Sequence, residues 1–252
     1  CSNKKERRAA KRIAKGLPAE RDTEEWRQVA GKDEAPRFTR YMNELLQLNS
    51  APTLLELRLF PNAKELSESF ACYAAARSRL GQLFDPQDSE VTVICVGDGL
   101  TPRTAALFAF RTSWRCISVD PLMEEETRDG RRWGDAVERL EAIRGKIQEL
   151  PVVPAEKMLL VMPHAHVGLR PSLSRIRWRS ALGIVAMPCC NYYKALSLPG
   201  APPAVECEDA GVVSPHRLVR VWHWTADSSE WPPGVPPPGD ACDGCDGDSP
   251  EM

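Results

Sequence analysis

The sequence predicts an α/β fold: a doubly wound, mostly parallel seven-stranded sheet with a terminal antiparallel hairpin. Three observations predict it. The β-branched run Val91-Thr-Val-Ile-Cys-Val96 breaks into Gly97-Asp98-Gly99, and Pro102 then opens an alanine-rich helical stretch. This is the pattern of a buried parallel strand feeding a glycine turn and a helix start. Further apolar runs alternate with helical patterns across residues 116–187, as right-handed crossovers between parallel strands require. Two extended runs then follow residue 203 with no helical pattern between them. Strands joined so briefly pair antiparallel.

The elements are expected in this order. Residues 1–35 form a basic, disordered arm, in which Lys4, Lys5, Arg7, Arg8, Lys11, Arg12 and Lys15 face a single acid, Glu6. Residues 36–87 form an N-terminal helical extension packing on the sheet. Within it, residues 38–60 supply one helix and a packed extended piece, through Tyr41, Leu45, Leu54, Leu57 and Phe60. Asn62 caps a second helix with Glu65 in the capping-box position, and Leu66, Phe70, Tyr73 and Leu80 recur at helical spacing up to Gly81. Residues 88–225 form the sheet domain, with strands at 91–96 and 116–120. A helix follows, carrying Trp133, Val137, Leu140 and Ile143 on one face, then strands at 146–153 and 158–164. A short crossover helix through Leu173, Ile176 and Ala181 leads to a strand at 182–187. The closing pair is 204–207 and 211–224, the second alternating through Leu218, Arg220, Trp222 and Trp224. Residues 226–252 are an acidic tail rich in Pro and Gly, expected to be disordered.

Composition bounds the function. A chain of 252 residues with 42% hydrophobic and 27% charged content is ordinary for a globular protein, and a net charge of −2 gives no global pull toward nucleic acid or membranes. No run approaches the roughly 18 apolar residues that a membrane span needs. Nine cysteines, with Cys95 and Cys116 inside apolar strands, lack the spacing of a secreted disulfide framework. A reducing, intracellular setting, cytoplasm or an organelle, is expected. The first residue is Cys1 rather than Met, which points to a fragment or a processed product. Cys242-Asp-Gly-Cys245 is a lone C-x-x-C without the second pair that structural zinc requires, so no metal is expected.

The chemistry gathers at the glycine turn. Gly97 and Gly99 let the backbone turn sharply and approach a ligand, and the helix behind them starts with free N–H groups. Asp120 ends the second strand about twenty residues later, where a carboxylate suits the ribose hydroxyls of a nucleoside. The plainer reading is that Asp98 and Asp120 cap helices.

Five parallel strands followed by a hairpin, with this turn and this acid, resemble the class I methyltransferases that use S-adenosylmethionine, over roughly residues 62–225. The resemblance implies a Rossmann-like methyltransferase domain. Gly97, Asp98, Gly99, Thr101 and Pro102 would hold the cofactor's amino-acid end, and Asp120 its ribose. Thr101-Pro102 stands where the family often has a third glycine. Two segments narrow the likeness: Val161-Met-Pro-His164-Ala-His166 and Pro188-Cys189-Cys190-Asn191-Tyr192-Tyr193. They resemble the branch that includes the Trm13-type tRNA ribose methylases and their methyltransferase-like relatives, with Asn191-Tyr192 in place of the usual aromatic-His wording. His164, Cys189, Asn191 and Tyr192 are the catalytic candidates this implies. The function implied is S-adenosylmethionine-dependent methyl transfer, with RNA as a candidate acceptor and partner. The basic arm would track phosphates, and Tyr192 and Tyr193 would stack on bases. The alternative is a catalytically silent subunit of the same fold serving RNA binding or assembly. A nicotinamide-dependent oxidoreductase is disfavoured, because Pro102 occupies the third-glycine position of that fingerprint.

Overall fold

The computed structural model describes residues 39–189, 194–228 and 236–238. The chain enters through α1 (Arg40–Gln47) and α2 (Ala51–Glu56). A proline in the first turn of α2 suits a helix start, so residues 38–60 hold two helices where one was expected. Next comes α3 (Ala63–Leu80), whose N-cap Asn62 accepts the Glu65 N–H at 2.9 Å. The remaining elements are β1 (Val91–Val96), α4 (Arg103–Arg111), β2 (Arg115–Asp120), α5 (Trp133–Ala136), β3 (Leu140–Arg144), a 3-10 turn (Ile147–Glu149), β4 (Val153–Pro163), α6 (Leu169–Leu173), β5 (Ile176–Met187), β6 (Val205–Glu208) and β7 (Leu218–Thr225). No described helix is long and apolar enough to cross a membrane.

The seven strands form one sheet in the order β3-β2-β1-β4-β5-β7-β6. β1 to β5 are parallel, whereas β7 runs antiparallel to β5 and to β6. This is the predicted doubly wound sheet with its terminal hairpin. Three element positions are corrected. The stripe Trp133, Val137, Leu140 and Ile143 is not one helix: α5 stops at Ala136, Arg139 takes a left-handed φ of 61°, and Leu140 begins β3. Residues 146–153, read as the third strand, instead hold the 3-10 turn and the approach to β4. Residues 176–181, read as the end of a crossover helix, are the first half of β5; there Ile176 and Trp178 are buried while Arg177 and Arg179 are exposed. That alternation is a strand's period of two.

Burial is two-sided. On one face, α1 to α4 and the turns that follow α3 and α4 cover the sheet through Tyr41, Leu54, Phe70, Phe84, Phe108 and Trp114. Phe108 stacks on Trp114 with centroids 5.5 Å apart. On the other face, Ile94, Ile117, Met158, Leu160, Trp178 and Trp222 pack under the 3-10 turn, α6 and residues 196–201. At Gly183 on β5 a Cβ would lie 2.9 Å from a Leu80 methyl, so the missing side chain lets α3 press onto the sheet. Within the region expected to be a disordered tail, Pro236 accepts a hydrogen bond from Trp178 Nε1 at 2.8 Å.

Candidate functional site

β1 and β4 are neighbours, yet the chain leaves β1 toward β2 and β3 and leaves β4 toward β5. The connections diverge there, and such a switch point opens a crevice at the carboxyl ends of the strands. A cavity of about 440 Å³ lies at that place, walled by Gly97, Asp120, Lys146, Ile147, His164 and His166 among others.

Gly97 stands at φ 92°, and a Cβ there would come within 2.8 Å of Ala165 Cα. Only glycine lets the turn after β1 touch the loop after β4. Gly99, at φ 79°, donates its N–H to Asp120 Oδ2 at 2.9 Å, and the Leu122 N–H reaches Oδ1 at 2.7 Å. Asp120 therefore splints the turn to the end of β2. Its part-exposed carboxylate keeps lone pairs for further donors, since a carboxylate accepts about four hydrogen bonds.

Asp98 points the other way and is fully buried. It accepts the N–H groups of Thr104 and Ala105 at 3.2–3.3 Å and the Ser118 hydroxyl at 2.7 Å. The side chain caps α4. Thr101 donates its hydroxyl to the Leu59 carbonyl at 2.6 Å, and Pro102 is the N-cap residue of α4.

His164 sits on the cleft wall with φ 53°, an uncommon conformation in which His is enriched. Its Nε2 lies 2.9 Å from the His216 carbonyl. A carbonyl only accepts, so Nε2 carries the hydrogen and Nδ1 is left as the acceptor of a neutral ring. Burial holds the ring's pKa down to about 4. Behind it Glu68, 1% exposed, places Oε1 3.6 Å from His164 Nε2 and 3.5 Å from Lys64 Nζ, with no hydrogen-bond partner for that oxygen. Burial pushes this carboxyl up to about 7. Because the imidazole is neutral, the pair is a polar contact and not a salt bridge.

The cleft thus brings together Gly97, Asp120 and His164, with Gly99 tied to it through Asp120. Asp98, Thr101, Pro102 and the buried Cys189 do not line it. Asn191 and Tyr192 lie outside the described residues. Sequence reasoning missed Lys146 and Gln148 on the wall, and Glu68 behind it. The misplacement of the third strand hid the first two. Nothing in the polar run Ser67-Glu68-Ser69 distinguishes a buried acid from an exposed one.

No family model matches the chain, and no curated protein does. Among solved structures, a point mutant of MtNAS in complex with S-adenosylmethionine is 14% identical, with a TM-score of 0.42 over 75% of this chain and 72% of the other. An RNA methyltransferase from Salinibacter ruber in complex with S-adenosyl-L-homocysteine is 17% identical, with a TM-score of 0.38 over 63% of this chain and 94% of the other. A TehB-like SAM-dependent methyltransferase from Corynebacterium glutamicum is 12% identical, with a TM-score of 0.38 over 62% of this chain and 85% of the other.

Proposed function

We propose that the chain is an S-adenosylmethionine-dependent methyltransferase whose cofactor occupies the cleft at the switch point. One observation carries this reading: the cavity of about 440 Å³ has a glycine turn on one wall and a part-exposed strand-end carboxylate on the next. The volume falls within the roughly 300–1,000 Å³ of small-ligand sites. Asp120 would take the ribose hydroxyls, and the backbone at Gly97 would lie against the amino-acid end. The bound sulfonium supplies an activated methyl group. The protein's part is to align the acceptor in line with it and keep water out. His164 Nδ1, unprotonated at neutral pH, would receive the acceptor's proton where one is released.

The finer reading, with RNA as acceptor and kinship to the tRNA ribose methylases, rests on the basic arm of residues 4–15 and on Cys189, Asn191 and Tyr192. A silent domain of the same fold is the second reading. It is favoured by the bonds that already engage Asp120 and His164, to Gly99, Leu122 and His216.

Calorimetric titration with S-adenosylhomocysteine tests the main reading. Binding should stabilise the fold by about 2.7 kcal/mol at a hundredfold excess over Kd. Asp120→Ala should weaken it by about 1–3 kcal/mol. Absence of any binding at millimolar ligand would reject a methyltransferase. Binding of the cofactor without RNA affinity at low salt would reject only the RNA acceptor.

A further inference from the structure

A second, larger cavity, of about 780 Å³, lies on the other side of the glycine turn, between α1 to α3 and the loop after β2. Leu122 borders both cavities. Its walls are mainly apolar, with Leu54, Leu66 and Trp133 buried beneath. Its rim is apolar as well: Leu55, Leu100 and Leu122 are 53%, 55% and 64% exposed. Large aliphatic side chains gathered around a concavity and left to water mark a surface that something covers.

The charged groups there are unbalanced. Three arginines (Arg58, Arg103, Arg128) meet two acids, Glu65 and Glu124. Arg103, only 5% exposed, lies against Gly99, 3.3 Å from Glu65 Oε2, and its Nε has no hydrogen-bond partner. Arg103 therefore braces the turn from below, with its Nε buried out of reach of the cavity. Arg58 and Arg128 are exposed and make no ion pair among the described residues.

We propose that this cavity is a second small-molecule site and that it takes an amphipathic anion, an apolar body ending in a carboxylate. The body fills the leucine-lined space, and the head group meets the exposed Arg58 and Arg128 on the rim. The site is independent of the cofactor reading, because its occupancy is measured with no S-adenosyl ligand present.

Decanoate, and decanol as its neutral analogue, are titrated calorimetrically into the full chain. Decanoate should bind about tenfold or more tightly than decanol, the scale of a charge-assisted hydrogen bond. Arg103 is left in place because it pairs with Glu65, and the variants are on the rim. Arg58→Glu and Arg128→Glu should each weaken decanoate about two- to fivefold and leave decanol unchanged. Leu100→Glu should weaken both. No binding of either probe, as when a segment of the chain itself fills the space, would overturn the proposal. Equal affinity for decanoate and decanol, or rim variants without effect, would overturn it too.

Discussion

Glu68 and His164 titrate in opposite directions from ordinary values, and their effects on stability oppose each other. The folded protein keeps the Glu68 proton up to about pH 7, whereas an exposed Glu loses it near 4.5. That contribution to stability is complete below pH 4.5 and is lost as pH rises through 7. His164 stays neutral down to about pH 4 against an ordinary 6.5, so its contribution is complete above 6.5 and is lost as pH falls toward 4. Between 4.5 and 6.5 the two slopes offset, and the parent protein should be nearly flat. Glu68→Gln removes only the first. Urea midpoints should show the variant gaining about 3 kcal/mol on the parent between about pH 4.5 and 8. A constant difference across that range would mean that Glu68 is not the group titrating. The residues differ in how legible they were. Gly97 and Asp120 stand at strand ends, and two apolar runs announce those ends. Glu68 takes its character from burial beside His164, far along the chain, and no local pattern carries that.

At the scale of elements, α4 depends on one cap. Asp98 takes two N–H groups of its first turn and the Ser118 hydroxyl of β2, so it joins helix, turn and neighbouring strand. Asp98→Ala should cost about 1–2 kcal/mol for the cap, and more for the stranded hydroxyl, measured by chemical denaturation. A loss below about 0.5 kcal/mol, within the range of surface substitutions, would show that the cap is redundant. β1, β2 and the core of β5 were legible because their apolar runs are continuous and buried on both faces. β3 was not. Trp133, Val137, Leu140 and Ile143 fall at helical spacing by coincidence, and pairing with β2 overrides it. The first half of β5 was lost in the same way, although its alternation of Ile176 and Trp178 with arginines was a strand signal. Its partner residues 153–155 fall at the junction between the two strands expected at 146–153 and 158–164, so no pairing points to it.

For the whole molecule, the mostly parallel sheet and its closing antiparallel pair followed from the succession of elements, while the tail did not. Residues without apolar periodicity gave no sign that Pro236 would meet Trp178. Ending the chain after Ser228 should lower stability by about 1 kcal/mol, one hydrogen bond to a buried indole. An unchanged melting temperature would show that contact to be incidental.

The two faces of the sheet are clad unequally. One carries an 18-residue helix, and the other, among the described residues, carries a 3-10 turn, a five-residue helix and loops. Short pieces with few buried contacts open at low free energy, long before the sheet does. The cleft takes Ile147, Gln148 and Val167 from that thin side, so its walls include the parts of the fold that breathe most readily. Amide exchange should be fast there and slow in α3 and α4, with the gap narrowing when a ligand enters the cleft. Affinity at this site would then be set partly by the entropy lost in stilling those walls.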